Sequence, residues 1–282
     1  PKTPKPLKQK DTSWGKNYKI NQNIQLRTDS VDFGLNYYAP LVIPPEWTRL
    51  WTDGFKLREM HTVAAINGNK ITLGEPLHIS IKSTDNIQVR AIEMLENVGI
   101  EDIRFKGNWN NYPQDYRHMS HLDSSSEYNA YPQEFIHHHD KYHDYAWNAL
   151  LVDRIHNGWI RNVEFRDFNT GLLIFGSSAF TVTNTKFSGK KGHNSVHTRG
   201  SYGVLIKDSR DSAGHNHGAS IGYGSVGAVY LRYKSYKGQH MDSHTGNPFT
   251  TLFDNVNGNF DFNGGPYESR PHHGKHLVAW NF

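Results

Sequence analysis

The sequence predicts an all-β chain, most of it a right-handed parallel β-helix. Two observations carry this. Short apolar runs restart at Trp159, Phe180, Gly203, Gly227 and Phe249, at intervals of 21, 23, 24 and 22 residues. Between them lie turns of Gly, Ser, Asn and Asp, with Gly200, Gly224 and Gly246 each three residues before its marker. A period of ~20–25 residues built from short strands marks a solenoid. Leucine-rich repeats share the period, but their Leu/Asn framework and helical runs are missing. In a β-helix, rungs stack at about 4.8 Å, so equivalent residues form ladders.

Residues 1–85 form a β-rich N-terminal lead-in. Within them "VAAINGNKITL" alternates around Asn-Gly, a hairpin signal. The first residues, "PKTPKPLKQK", are basic and Pro-rich without an apolar core, and so resemble a tail more than a signal peptide. Residues 86–282 form the β-helix. Its first unit is "NVGIEDIRFKGN" and its last "GKHLVAWNF". A polar, aromatic insertion at 109–145 separates two rungs, and a loop of that length suggests a wall over a binding site. The last rung presents a bare edge, which calls for cover by further chain or by a second copy in a homo-oligomer.

Composition narrows the function. No cysteine is present, which excludes disulfides, thiol catalysis and thiolate metal sites. Mean hydropathy is −0.72, and no apolar run of ~18 residues exists, so membrane insertion by a helix is not expected. The net charge of +4 suits an acidic partner, but basic residues do not segregate along the chain and no nucleic-acid motif appears. Phosphate-cradling Gly loops and serine-hydrolase elbows are also absent. The 18 His, with 7 Trp, 15 Tyr and 14 Phe, suit a groove that stacks on flat ligands.

Register then selects candidate residues. His193 and His217 each lie ten residues before a marker, and His240 nine, so their imidazoles should stack as candidate bases. His215 falls out of register and is expected at a turn or rim. Arg199 and Tyr223, each four before a marker, should stack on adjacent rungs. Arg offers a fork for carboxylate or sulfate, and Tyr a proton for a leaving oxygen. His197, His240, His244, Arg270, His272 and Trp147 are expected to bind substrate. Asp242 is the candidate catalytic carboxylate. Asp153 lies four rungs away, ~19 Å, too far for a glycosidase pair. Asp242 would therefore need Asp144, Asp208 or Asp211 as partner. His193/His197 and His240/His244 share an HxxxH spacing, and His137–Asp140 reads "HHHD". Such spacing pairs ligands on helices, whereas these positions suggest strand or turn, so no metal ligand is assigned. No cofactor is assigned with certainty, and calcium or zinc is possible.

The rungs of 86–282 resemble right-handed β-helix carbohydrate-active enzymes, the pectate-lyase and polygalacturonase superfamily. In its hydrolases, successive rungs carry Asn-Thr-Asp, Asp-Asp, then Gly-His-Gly leading into Ser-Ile-Gly. The same order here gives Asn169-Thr170-Gly171, then His193-Asn194, then His217-Gly218 with Ser220-Ile221-Gly222. The histidine rung matches, but the carboxylates are replaced. The resemblance implies a secreted, periplasmic or cell-surface enzyme that cleaves glycosidic bonds of an acidic or sulfated polysaccharide. Elimination by Arg199, His193 or His217, and Tyr223 suits the residues better than hydrolysis through Asp242. A non-catalytic carbohydrate-binding solenoid is the alternative.

Overall fold

A computed structural model of the chain describes residues 18–111, 147–236, 239–258 and 264–281. Most of the insertion lies outside these residues, with Asp144 and His137–Asp140.

The N-terminal unit contains β1 (Asn23–Thr28), α1 (Val31–Tyr38), α2 (Thr48–Asp53), β2 (Leu57–Asn67), β3 (Lys70–Leu73) and β4 (Gln88–Ala91). Its strands form an antiparallel sheet in the order β3-β2-β1-β4. β2 and β3 pair across Asn67 and Lys70, with Gly68 in the left-handed region that a tight hairpin needs. Two features differ from the lead-in expected from sequence. It carries two helices, the first started by the Ser30 hydroxyl, which accepts from the Phe33 amide at 3.1 Å. The sheet also takes its fourth strand from beyond residue 85. The unit packs along the side of the solenoid: Phe33, Tyr38, Leu50, Phe55 and Met60 share a core with Tyr202, Val226 and Phe249.

The solenoid is a parallel β-helix of three sheets. Among the described residues sheet A has seven strands, and sheets B and C have five each. The chain visits A, B, then C in each turn. In sheet A the register runs Gly99, Trp159, Thr181, Leu205, Val229, Leu252, Val278. The structural rungs therefore coincide with the sequence markers at Trp159 and drift from them by up to three residues at Leu252. Sheet A points Ile160, Val182, Ile206, Tyr230 and Phe253 inward, all fully buried. Sheet B stacks Phe105, Phe165 and Phe187 at 5.4 and 5.5 Å, nearly parallel.

The A-to-B corner explains the turn residues. Asp102, Asn162, Asn184, Asp208, Arg232 and Asn255 sit one above another with φ between 49° and 55°. Asn and Asp tolerate that left-handed conformation best among side-chain-bearing residues. They also bond along the ladder: Asn184 Nδ2 donates to Asn162 Oδ1 at 2.7 Å, and Asn162 Nδ2 to Asp102 Oδ1 at 2.9 Å. Asp208 belongs to this corner and is bound by Arg232. Asp211 is buried on sheet B, where it binds His215 Nδ1 at 2.7 Å and the Gly214 amide at 2.9 Å. Neither faces Asp242, so the proposed carboxylate partnership fails for both. His215, expected at a turn or rim, lies in a turn but is buried, and it pins that turn between Asp211 and the Phe168 carbonyl.

Candidate functional site

The site lies on the outer face of sheet C. Its strands are Asn148–Asp153, Thr170–Phe175, Asn194–Arg199, His217–Gly222 and His240–His244. Val196, Thr198, Ala219 and Ile221 point inward, and alternation along these strands sends His197, Arg199, Ser220 and Gly222 outward. Two outward ladders result. One reads Leu151, Leu173, His197, Ser220, Asp242, and the other Asp153, Phe175, Arg199, Gly222, His244. Large side chains thus sit above and below a middle rung of Ser220 and Gly222. The concavity is built in at Gly222: a Cβ there would lie 2.3 Å from the His244 carbonyl oxygen and 3.4 Å from His197 Nε2.

Asp242 anchors the upper side. It is buried, accepts from Ser220 Oγ at 2.9 Å and pairs with His244 Nδ1 at 3.2 Å. Burial alone would raise its pKa, but the imidazoles of His217 and His244 hold the carboxyl far below the usual range. His197 shows the opposite effect. Burial, helped by the Arg199 charge, pushes its imidazole well below its ordinary value, so the ring is neutral. Its Nε2 is buried with no hydrogen-bond partner among the described residues.

The imidazoles form a row that differs from the expected one. His193 and His217 rings are 5.1 Å apart, although the strand register pairs His217 with Asn194. The third ring in contact is that of His244, 6.4 Å from His217. His240 lies opposite His217 by its backbone. A bulge between His217 and Ser220 lets one strand shift against the next. Thr170, Asn194 and His217 pair across three successive rungs of this sheet.

Arg199 is offset in the same way. Its Cα faces Gly222, but its guanidinium lies over the neighbouring Tyr223 ring, 3.7 Å from the centroid. Tyr223 and Phe175 are large exposed aromatics beside it. Segment 264–274 crosses the upper rung. Ser243 Oγ donates to the His272 carbonyl at 2.8 Å, and Gly265 passes over His244, where a Cβ would come 2.7 Å from Nε2. His272 is held at a pKa of about 4, first by burial and then by His244 and Arg270. Arg270 stacks on Tyr267 at 4.6 Å. Trp147 is elsewhere: it packs on Trp109 at 5.3 Å, at the bottom of the sheet, four rungs from His240. Among the described residues, no three His, Asp or Glu side chains are arranged to hold a metal ion.

Comparison with known proteins adds little chemistry. Residues 214–282 match the model of a domain of unknown function, DUF4955. No curated protein matches the chain. The tailspike protein gp49 from Pseudomonas phage LKA1 is structurally similar, with a TM-score of 0.41 and 11% identity. That similarity covers 85% of this chain and 30% of the tailspike chain.

Proposed function

We propose that the outer face of sheet C binds a polysaccharide and cleaves it by β-elimination. The observation that carries this reading is the ladder Arg199–Gly222–His244. It sets the backbone positions of Arg199 and His244 two strand spacings apart, ~9.6 Å, with a residue that carries no side chain between them. In this reading Arg199 neutralises a uronate carboxylate, and a neutral base then removes the acidified α-proton. The bond to the β-oxygen breaks as the double bond forms, and Tyr223 protonates the leaving oxygen. His244 is our choice of base over His193 and His217. Its Nδ1 donates to Asp242, which fixes the tautomer and leaves the Nε2 lone pair for the proton. His197 forms the neutral floor, and exposed Phe175 and Tyr223 offer stacking faces for sugar rings.

Hydrolysis fits less well. Asp242 is buried and held ionised, and among the described residues the carboxylate that shares its face, Asp153, is four rungs away, ~19 Å. A polymer substrate implies a secreted, periplasmic or cell-surface protein.

The test is incubation with acidic and neutral polysaccharides, following absorbance near 235 nm and reducing ends together. An unsaturated product supports elimination. Reducing ends without absorbance would assign a hydrolase. Binding without either signal would leave a carbohydrate-binding solenoid and sink the enzyme.

A further inference from the structure

A cleft of about 440 Å³ opens between the N-terminal sheet and the C-to-A corner of the solenoid. Its solenoid wall follows one corner position through successive rungs: Arg154, Gly176, Gly200, Tyr223 and Gly246. Four rung spacings make it ~19 Å long, a trough suited to a chain ligand. The opposite wall comes from β1, β2, β4 and the end of α2.

Cations crowd this trough from both walls. Arg27, Lys56 and Arg58 converge on Asp29, the first two at 2.9 and 3.2 Å. Arg154 leans on Asp153 at 3.6 Å. Arg49, Arg90 and Arg270 also line the cleft and have no carboxylate partner among the described residues. Arg90 is held in place by Gln25 Oε1, at 3.1 Å from Nε and 2.7 Å from Nη2. Among the described residues the lining itself contributes one carboxylate, Asp53. These residues are scattered between positions 27 and 270, so the charge that does not segregate in sequence does segregate in space. A concave surface lined by one sign of charge focuses the field on an incoming counter-ion. The cleft also joins the sheet C site, because Tyr223 lines it and carries the Arg199 guanidinium.

We propose that this cleft is a second anion subsite of the same groove. It takes the carboxylate or sulfate groups of sugars beyond the one that reaches Arg199. The N-terminal unit is then half of the substrate channel, and the polymer is polyanionic. This inference rests on the polysaccharide reading, and its test separates the two.

The variant combines Arg49→Glu with Arg90→Glu, both exposed positions, and its melting temperature confirms folding. The probes are oligogalacturonate for carboxylate, heparin oligosaccharide for sulfate, and dextran as the neutral control, each titrated at low and high salt. The expected result is at least about tenfold weaker binding of one or both anionic probes, with a shallower salt dependence and unchanged behaviour toward dextran. The anionic probe that binds identifies the group. The subsite is overturned if neither anionic probe binds the unmodified chain, if charge reversal leaves their binding unchanged, or if dextran binding falls equally. Turnover without any change in KM in the variant removes the subsite and keeps the enzyme. Charge-dependent binding without turnover removes the enzyme and keeps the subsite.

Discussion

The Arg199 guanidinium carbon lies over the Tyr223 ring, 3.7 Å from its centroid, although the two residues are not in strand register. The stack fixes the direction of the fork, with Nε buried and unbonded among the described residues. Tyr223→Phe keeps the stack and removes the hydroxyl, so turnover should fall while binding of an acidic oligosaccharide persists. Tyr223→Ala frees the guanidinium, so both should fall. Equal turnover in the Phe variant and the parent would remove Tyr223 as the proton donor. Titration calorimetry alongside the 235 nm assay reads both quantities.

Asp242→Asn tests the dyad. The amide keeps the shape but can hold His244 in the wrong tautomer, so kcat should drop by roughly 10²–10⁴. Binding should change far less. A kcat within about threefold of the parent would mean that His244 is not the base.

Acidification should loosen the segment that crosses the site. His272 and His273 are both held at about 4, chiefly by burial, against an ordinary value of 6.5. A depressed folded-state pKa means that the unfolded state binds more protons between the two values. Their contribution is therefore complete above about pH 6.5 and is lost as pH falls toward 4. Hydrogen exchange across 264–276, corrected for intrinsic rate, should show protection at pH 7 that fades by pH 4.5. Constant protection over that range would contradict it, and a His272→Phe, His273→Phe double variant should flatten the response.

Phe165→Ala removes the middle ring of the sheet B stack, which is buried between Phe105 and Phe187. The loss should be about 3–5 kcal/mol by denaturant unfolding. Leu151→Ala on the exposed outer face should cost within about 0.5 kcal/mol. Similar costs at the two positions would mean that the rungs are not packed as described.

The solenoid was legible because its signal is periodic. Inward ladders need apolar residues every rung, and corners in the left-handed region need Asn, Asp or Gly. The ladders of the candidate residues were legible to within one residue of their strand register. Markers set at the first apolar residue drift when rungs differ in length, and a bulge beside His217 adds a further slip. Between the Asn194–Arg199 and His217–Gly222 strands the register runs 23 residues where the markers run 24, so His193 and Arg199 meet His217 and Tyr223 by side chain and not by register. The Asp242–His244 pair could have been found from its i, i+2 spacing, which puts both on one face of a strand. The basic cleft had no local signal, since its residues come together only through tertiary packing.

The docking of the N-terminal unit has a consequence for synthesis. Phe55 meets Phe249 at 6.0 Å, yet 194 positions separate them along the chain. At about 5–20 residues per second, the ribosome delivers the second ring roughly 10–40 s after the first. Throughout that interval Phe33, Phe55 and Leu57 have emerged while the surface they cover has not. The early-made part of the chain must wait uncovered for the late-made part. Slower translation lengthens that wait, and the nascent chain's exposure to aggregation grows with it.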